Sequence, residues 1–102
     1  MQRQVDMEKS MLTAHRNFMD NLEKSLKILE EDMEEVKALR VSCTKDWRRS
    51  TEQIIDELHK YIYSISEPRF ASKEDSERIR DLRKKLKNLY IEYAKILEVN
   101  AT

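Results

Sequence analysis

The chain has 102 residues, room for one domain, and its 20 basic and 20 acidic side chains give a formal net charge of zero. It contains no glycine, one proline and one cysteine, which excludes glycine-rich phosphate loops, a disulfide framework and multi-cysteine zinc sites. Charged residues make up 39% of the chain, a share typical of long helices and coiled coils. We therefore expect an all-α protein, 1–102 forming a single helical domain.

A long first helix is predicted over about residues 1–66. No residue before Pro68 forbids helix, whereas Pro68 disfavours helical geometry at the residue that precedes it. Apolar side chains recur in steps of 4 and 3 along the middle of this helix, a spacing that places them on one face. These residues are Leu22, Leu26, Leu29, Met33 and Val36.

A second helix is predicted over about residues 73–99. Ser72 is a candidate N-cap, and Asp75 stands at the position of a capping-box acid. Its apolar residues also step by 3 and 4, which predicts one continuous buried face. They are Ile79, Leu82, Leu86, Leu89, Tyr93 and Ile96.

The short link between the two helices favours an antiparallel hairpin over residues 43–99. If the chain folds about residue 70, facing positions have numbers that sum to about 140, and the two apolar faces then meet. The predicted hairpin core consists of Trp47, Ile54, Leu58, Ile62, Ile79, Leu82, Leu86, Leu89 and Tyr93.

Residues 1–42 then carry an apolar stripe that has no partner within the hairpin. An isolated helix gains too little stability in water to leave such a stripe bare, so we expect self-association that completes a coiled-coil-like bundle. The predicted association surface is Met7, Met11, Phe18, Leu22, Leu26, Leu29, Met33 and Val36. The alternative is a compact, spectrin-like three-helix bundle with a break near residues 42–45. We prefer the long helix because no glycine or proline marks a break there.

The sequence offers no constellation for catalysis, cofactor binding or metal binding. His15 and His59 are far apart, and neither has a nucleophile or an orienting group nearby in the sequence. The acidic run over residues 30–35 lies within a predicted helix, where its carboxylates point in several directions. We therefore expect a protein that is not an enzyme, with no cofactor and no small-molecule substrate.

A basic stretch in the second helix is the sharpest charge feature of the chain. Between residues 78 and 87 only Asp81 opposes six cationic side chains. Basic amphipathic helices of this kind bind anionic membranes, nucleic acid or partner proteins. The basic patch consists of Arg78, Arg80, Arg83, Lys84, Lys85 and Lys87.

These features together predict a protein–protein interaction module that oligomerises and docks a partner in a scaffold or adaptor protein. The expected assembly is a homodimer or a higher homo-oligomer. The alternative function is a membrane-surface or nucleic-acid-binding module that uses helix 78–87. A single cysteine fits a reducing compartment, so we expect an intracellular protein, cytoplasmic and cytoskeletal or centrosomal, with a nuclear location as a second possibility.

Overall fold

The computed structural model describes residues 2–39, 44–67 and 72–101. All regular structure in these ranges is α-helix, which confirms the all-α prediction. The three helices are α1 (Gln2–Leu39), α2 (Lys45–Tyr63) and α3 (Lys73–Ala101). They pack side by side into a bundle whose extents are 63 × 21 × 20 Å.

Helices α1 and α2 run antiparallel. The Phe18 and Tyr61 rings meet edge to face with their centroids 6.3 Å apart, and the Trp47 indole N–H donates to the Asp32 carboxylate at 3.1 Å. The residue numbers of both pairs sum to 79, as expected when one helix descends while the other ascends. For any residue of α2, 79 minus its number therefore gives the residue of α1 at the same height along the bundle.

Helix α3 runs parallel to α1, which gives the bundle an up-down-up topology. Near one end the Arg16 guanidinium contacts the Asp75 carboxylate at 3.0 Å. Towards the other end the Lys37 ammonium lies 3.5 Å from the Glu92 carboxylate. Residue numbers therefore rise together along α1 and α3, and α2 returns the chain between them.

The predicted continuous helix over residues 1–66 is wrong, and the alternative, a compact three-helix bundle, is confirmed. Helix α1 ends at Leu39, and α2 begins at Lys45. Thr44 is the N-cap of α2: its backbone is extended (φ −72°, ψ 158°) and its hydroxyl accepts the Trp47 backbone N–H at 3.0 Å. Because this cap satisfies an otherwise unpaired donor, the chain starts a new helix here without glycine or proline.

One apolar core cluster draws on all three helices. Helix α1 supplies Met19, Leu22, Leu26, Leu29 and Met33. Helix α2 supplies Ile55, Leu58 and Ile62. Helix α3 supplies Ile79, Leu82, Leu86, Leu89, Tyr93 and Ile96. The prediction divided the chain into an association segment, which included residues 19–33, and a separate hairpin. The observed core does not follow that division, because it joins residues of all three helices. The predicted boundary between residues 42 and 43 lies outside the described residues.

The hairpin of α2 and α3 has the predicted register but a different residue at one core position. The Trp47 and Tyr93 rings lie 5.9 Å apart, and their numbers sum to 140 as expected. Ile54, however, is 48% exposed, whereas Ile55 is 4% exposed. The prediction placed Ile54 in the core, whereas the buried face of α2, which begins after its cap at Thr44, runs through Thr51, Ile55, Leu58 and Ile62.

The contrast between Ile54 and Ile55 gives a direct test of the core. We expect Ile55→Ala to lower the free energy of unfolding by about 2–4 kcal/mol, because it removes a buried side chain and leaves a cavity. Ile54→Ala makes the same chemical change at an exposed site and should cost less than about 1 kcal/mol. Urea denaturation followed by circular dichroism measures both values. Equal losses for the two variants would contradict the assignment of the core face.

Candidate protein-interaction surface

Five of the eight residues of the predicted association surface pack inside the chain. Four of its residues lie in the intrachain core, and Val36 is partly buried against that core. The four core residues are Leu22, Leu26, Leu29 and Met33. The premise that this stripe lacks an intrachain partner is therefore wrong, because helix α1 folds into the bundle and α3 covers the stripe.

The remaining three residues of that surface are exposed. Met7 is 58% exposed, Met11 64% and Phe18 41%. Met7 and Met11 lie on the part of α1 that extends past the other helices, since Tyr63 and Asp75 both lie level with about residue 16 of α1. We call residues 2–14 the N-terminal extension. Every side chain from residue 2 to residue 11 is exposed.

The exposed apolar residues of α1 form one stripe. Met7, Met11, Ala14 and Phe18 are all exposed and follow one another in steps of 4, 3 and 4. At 100° per residue this spacing confines them to one face of the helix. This exposed stripe lies beside the buried face of α1 and runs from the N-terminal extension onto the bundle.

At Phe18 the exposed stripe enters a groove between α1 and α2. Its apolar wall on α2 comes from Ile54 and Tyr61, which are seven residues apart and therefore share a face. Asn21 and Ser25 of α1 form the opposite side. We call this the α1–α2 groove; its volume is ≈ 470 Å³.

Sequence reasoning did not find the α2 wall of this groove. Ile54 was assigned to the hairpin core, and Tyr61 was not considered as a surface residue. The seven-residue spacing of these two side chains was available in the sequence. It could be read as an exposed face only once the N-cap at Thr44 had set the frame of α2.

A capping box at the start of α3 anchors that helix to the base of the N-terminal extension. Asp75 accepts the Ser72 backbone N–H at 3.0 Å, and the Ser72 hydroxyl accepts the Asp75 backbone N–H at 3.3 Å. The Arg16 guanidinium donates two hydrogen bonds of 3.0 Å to the same carboxylate. These donors, Arg16 foremost and then the Ser72 backbone, hold the pKa of Asp75 well below its usual range.

Within the basic patch, two cations are used by ion pairs with α1. Arg78 pairs with Asp20 and with Glu23, and the Lys85 ammonium lies 3.1 Å from the Glu23 carboxylate. Hydrogen bonds from Arg78 and then Lys85 lower the pKa of Glu23. These contacts help to fix the register of α3 on α1, although exposed pairs of this kind contribute only about 0–1 kcal/mol each.

The other four cations of the basic patch have different surroundings. The Arg83 guanidinium lies over the Tyr63 ring, 5.3 Å from its centroid. Arg80, Lys84 and Lys87 are exposed on the outer face of α3. Within the described ranges none of these three has an ion-pair partner.

No group of three or more His, Cys, Asp or Glu side chains is placed to hold a metal ion in residues 2–39, 44–67 and 72–101. In the same ranges, no helix combines the length and apolar character needed to cross a bilayer.

Comparison with protein-family models, with curated proteins and with solved structures finds no match to this chain.

The capping box predicts a pH dependence of stability. Because the pKa of Asp75 is lower in the folded than in the unfolded chain, its stabilising contribution is present above about pH 4, the unfolded value, and is lost as the pH falls toward the folded value. Asp75→Asn should therefore cost about 1 kcal/mol at neutral pH, because it removes the charge that pairs with Arg16 and weakens the capping box. The variant should also lose less stability than the wild type between about pH 5 and pH 2.

The control is Glu77→Gln, which removes the same charge from an exposed site on the same helix. Its acid-induced loss of stability should match that of the wild type. Thermal unfolding followed at several pH values measures all three proteins. If Asp75→Asn loses as much stability as the wild type when the pH is lowered, the Arg16–Asp75 ion pair does not cause the loss of stability in acid.

Proposed function

We propose that the chain is a non-enzymatic protein–protein interaction module that docks a partner helix on the exposed stripe and in the α1–α2 groove. The observation that carries this proposal is the N-terminal extension, where Met7 and Met11 are exposed on a helix that projects past the bundle. Oligomerisation and partner docking in a scaffold or adaptor protein are the roles that this surface would serve.

The energetics of the N-terminal extension support a partner. The extension has about 20 Å of helix at 1.5 Å per residue. Its residues 2–11 are all exposed and gain no stability from packing, so this end of α1 opens more easily than the packed part of the helix. Burying one Met side chain contributes roughly 1.5–3 kcal/mol. A partner that covers Met7 and Met11 would therefore stabilise the extension while gaining affinity from the same contacts.

The α1–α2 groove has the composition of a helix-binding site. Phe18, Ile54 and Tyr61 form its apolar centre, and the aromatic pair of Phe18 and Tyr61 is of the residue type that dominates interface energetics. Polar side chains such as Asn21 and Glu57 line the same groove. An amphipathic partner helix could place its apolar face between α1 and α2, as helix-in-groove complexes do.

The cellular setting that we propose is a cytoplasmic assembly, cytoskeletal or centrosomal, in which helical scaffold proteins act. The support for an intracellular setting is the single cysteine of the sequence.

A charge introduced in the exposed stripe should weaken docking. We expect Met11→Glu to weaken partner binding by about tenfold to a hundredfold, because the buried Met contribution is lost and a carboxylate is desolvated. The measurement is capture of proteins from a lysate of the source cells with immobilised wild-type and variant chains, quantified by mass spectrometry.

Thr13→Glu is the matched control, since Thr13 is exposed on the same extension but lies off the stripe. It adds the same charge and should capture the same proteins as the wild type. Circular dichroism should give the same helix content for both variants. If Met11→Glu and Thr13→Glu retain the same set of proteins, the stripe is not the docking surface.

A second candidate function uses the outer face of α3. Arg80, Lys84 and Lys87 are spaced by 4 and 3 and are exposed, so they form one basic face that could bind a membrane surface or nucleic acid. The double variant Lys84→Glu and Lys87→Glu separates the two candidates when protein capture is measured beside binding to RNA and to anionic vesicles. The docking proposal expects this variant to behave as the wild type, whereas the second candidate expects it to lose salt-sensitive binding to RNA or anionic vesicles.

A further inference from the structure

We propose that the occupant of the exposed stripe and of the α1–α2 groove is a second copy of this chain, bound antiparallel about a two-fold axis. The N-terminal extension of each copy would lie in the α1–α2 groove of the other. This inference rests on the proposed function, because it names the partner that the docking surface receives.

The lengths of the two parts agree. By the sum of 79, Tyr63 lies level with Arg16 of α1 and Lys45 lies level with Glu34. In the proposed register, residues at the same level on the two antiparallel α1 helices have numbers that sum to about 32. Residues 2–14 of one copy are then level with residues 18–30 of the other copy. The whole extension of one copy then lies alongside α2 of the other.

The side chains along the stripe are complementary in size in this register. Met7 of one copy comes level with Ser25 of the other, and Met11 comes level with Asn21. Phe18 comes level with Ala14 of the other copy. Each large side chain therefore meets a short one, as close packing between helices requires. A two-fold axis repeats each of these contacts, so the interface is self-complementary.

Charge also favours a second copy in this orientation. Asp6 and Lys24 are exposed and lie on the same flank of the exposed stripe, because 18 residues span five turns of helix. In the antiparallel register Asp6 of each copy lies within two residues, about 3 Å along the helix axis, of the level of Lys24 of the other copy, close enough for these long-range charges to pair. Within one copy these residues are about 27 Å apart, too far to interact. The zero net charge of the chain adds no overall repulsion between copies.

The test uses the purified chain and measures its dissociation constant by sedimentation velocity at low salt. The wild type should be dimeric, and Met11→Glu should be monomeric. Lys9→Gln makes the same change in net charge at an exposed site on the opposite face of α1, and it should remain dimeric. Asp6→Lys alone and Lys24→Glu alone should each raise the dissociation constant by about threefold to tenfold, because two attractive pairs become repulsive.

An equimolar mixture of the Asp6→Lys and Lys24→Glu chains should recover the wild-type dissociation constant. In the mixed dimer the lysine introduced at position 6 of one chain faces the glutamate introduced at position 24 of the other. The unchanged Lys24 and Asp6 form the second pair, so both pairs are again attractive. Failure of the mixture to recover, with both single variants weakened, overturns the antiparallel register.

A wild-type chain that stays monomeric at millimolar concentration overturns self-association altogether. That result differs from failure of the proposed function, which the lysate capture experiment measures with a different readout. If the pure chain is monomeric and capture still depends on Met11, docking to another protein stands and the second copy is excluded.

Discussion

The burial of one face of α1 against α3 is the interaction on which the rest of the structure depends. Five side chains of α1, from Met19 to Met33, enter the shared core, and each contributes roughly 1.5–3 kcal/mol when removed from water. A straight helix over residues 1–66 would leave these side chains exposed. The chain instead turns between α1 and α2 and satisfies the apolar face within one copy.

The unequal lengths of the helices follow from that arrangement and create the surface that remains. Helix α1 has 38 residues, α2 has 19 and α3 has 29. Because α2 is too short to cover α1 along its whole length, the N-terminal extension stays outside the core. The exposed stripe on that extension continues directly into the α1–α2 groove, so the projecting helix and the groove form one surface.

The sequence was sufficient to predict the helical class, the hairpin register and the capping box of α3. Periodic apolar residues and the single proline determine those features, as the contact between Trp47 and Tyr93 shows. It was not sufficient to predict the break before α2. No glycine or proline marks that break, and a threonine alone indicates a helix start only weakly. Without that break, one core position of α2 was assigned to Ile54 in place of Ile55, whereas Leu58 and Ile62 were assigned correctly.

The association surface was predicted in part for the same reason. An apolar stripe in the sequence does not reveal whether its cover comes from the same chain or from another. Leu26 and Met33 are covered by the chain itself, whereas Met7 and Met11 are not. Only the position of the second and third helices along α1 separates the two groups.

The distance between residues 17 and 60 tests the central claim most directly. Both Asn17 and Lys60 are exposed, and spin labels there, in a Cys43→Ser chain diluted with unlabelled protein, report the separation within one copy. The folded-back bundle predicts a distance of about 10–25 Å, since the two positions lie at nearly the same level of neighbouring helices. A separation near 65 Å, roughly the length of 43 residues in one straight helix, would contradict the account.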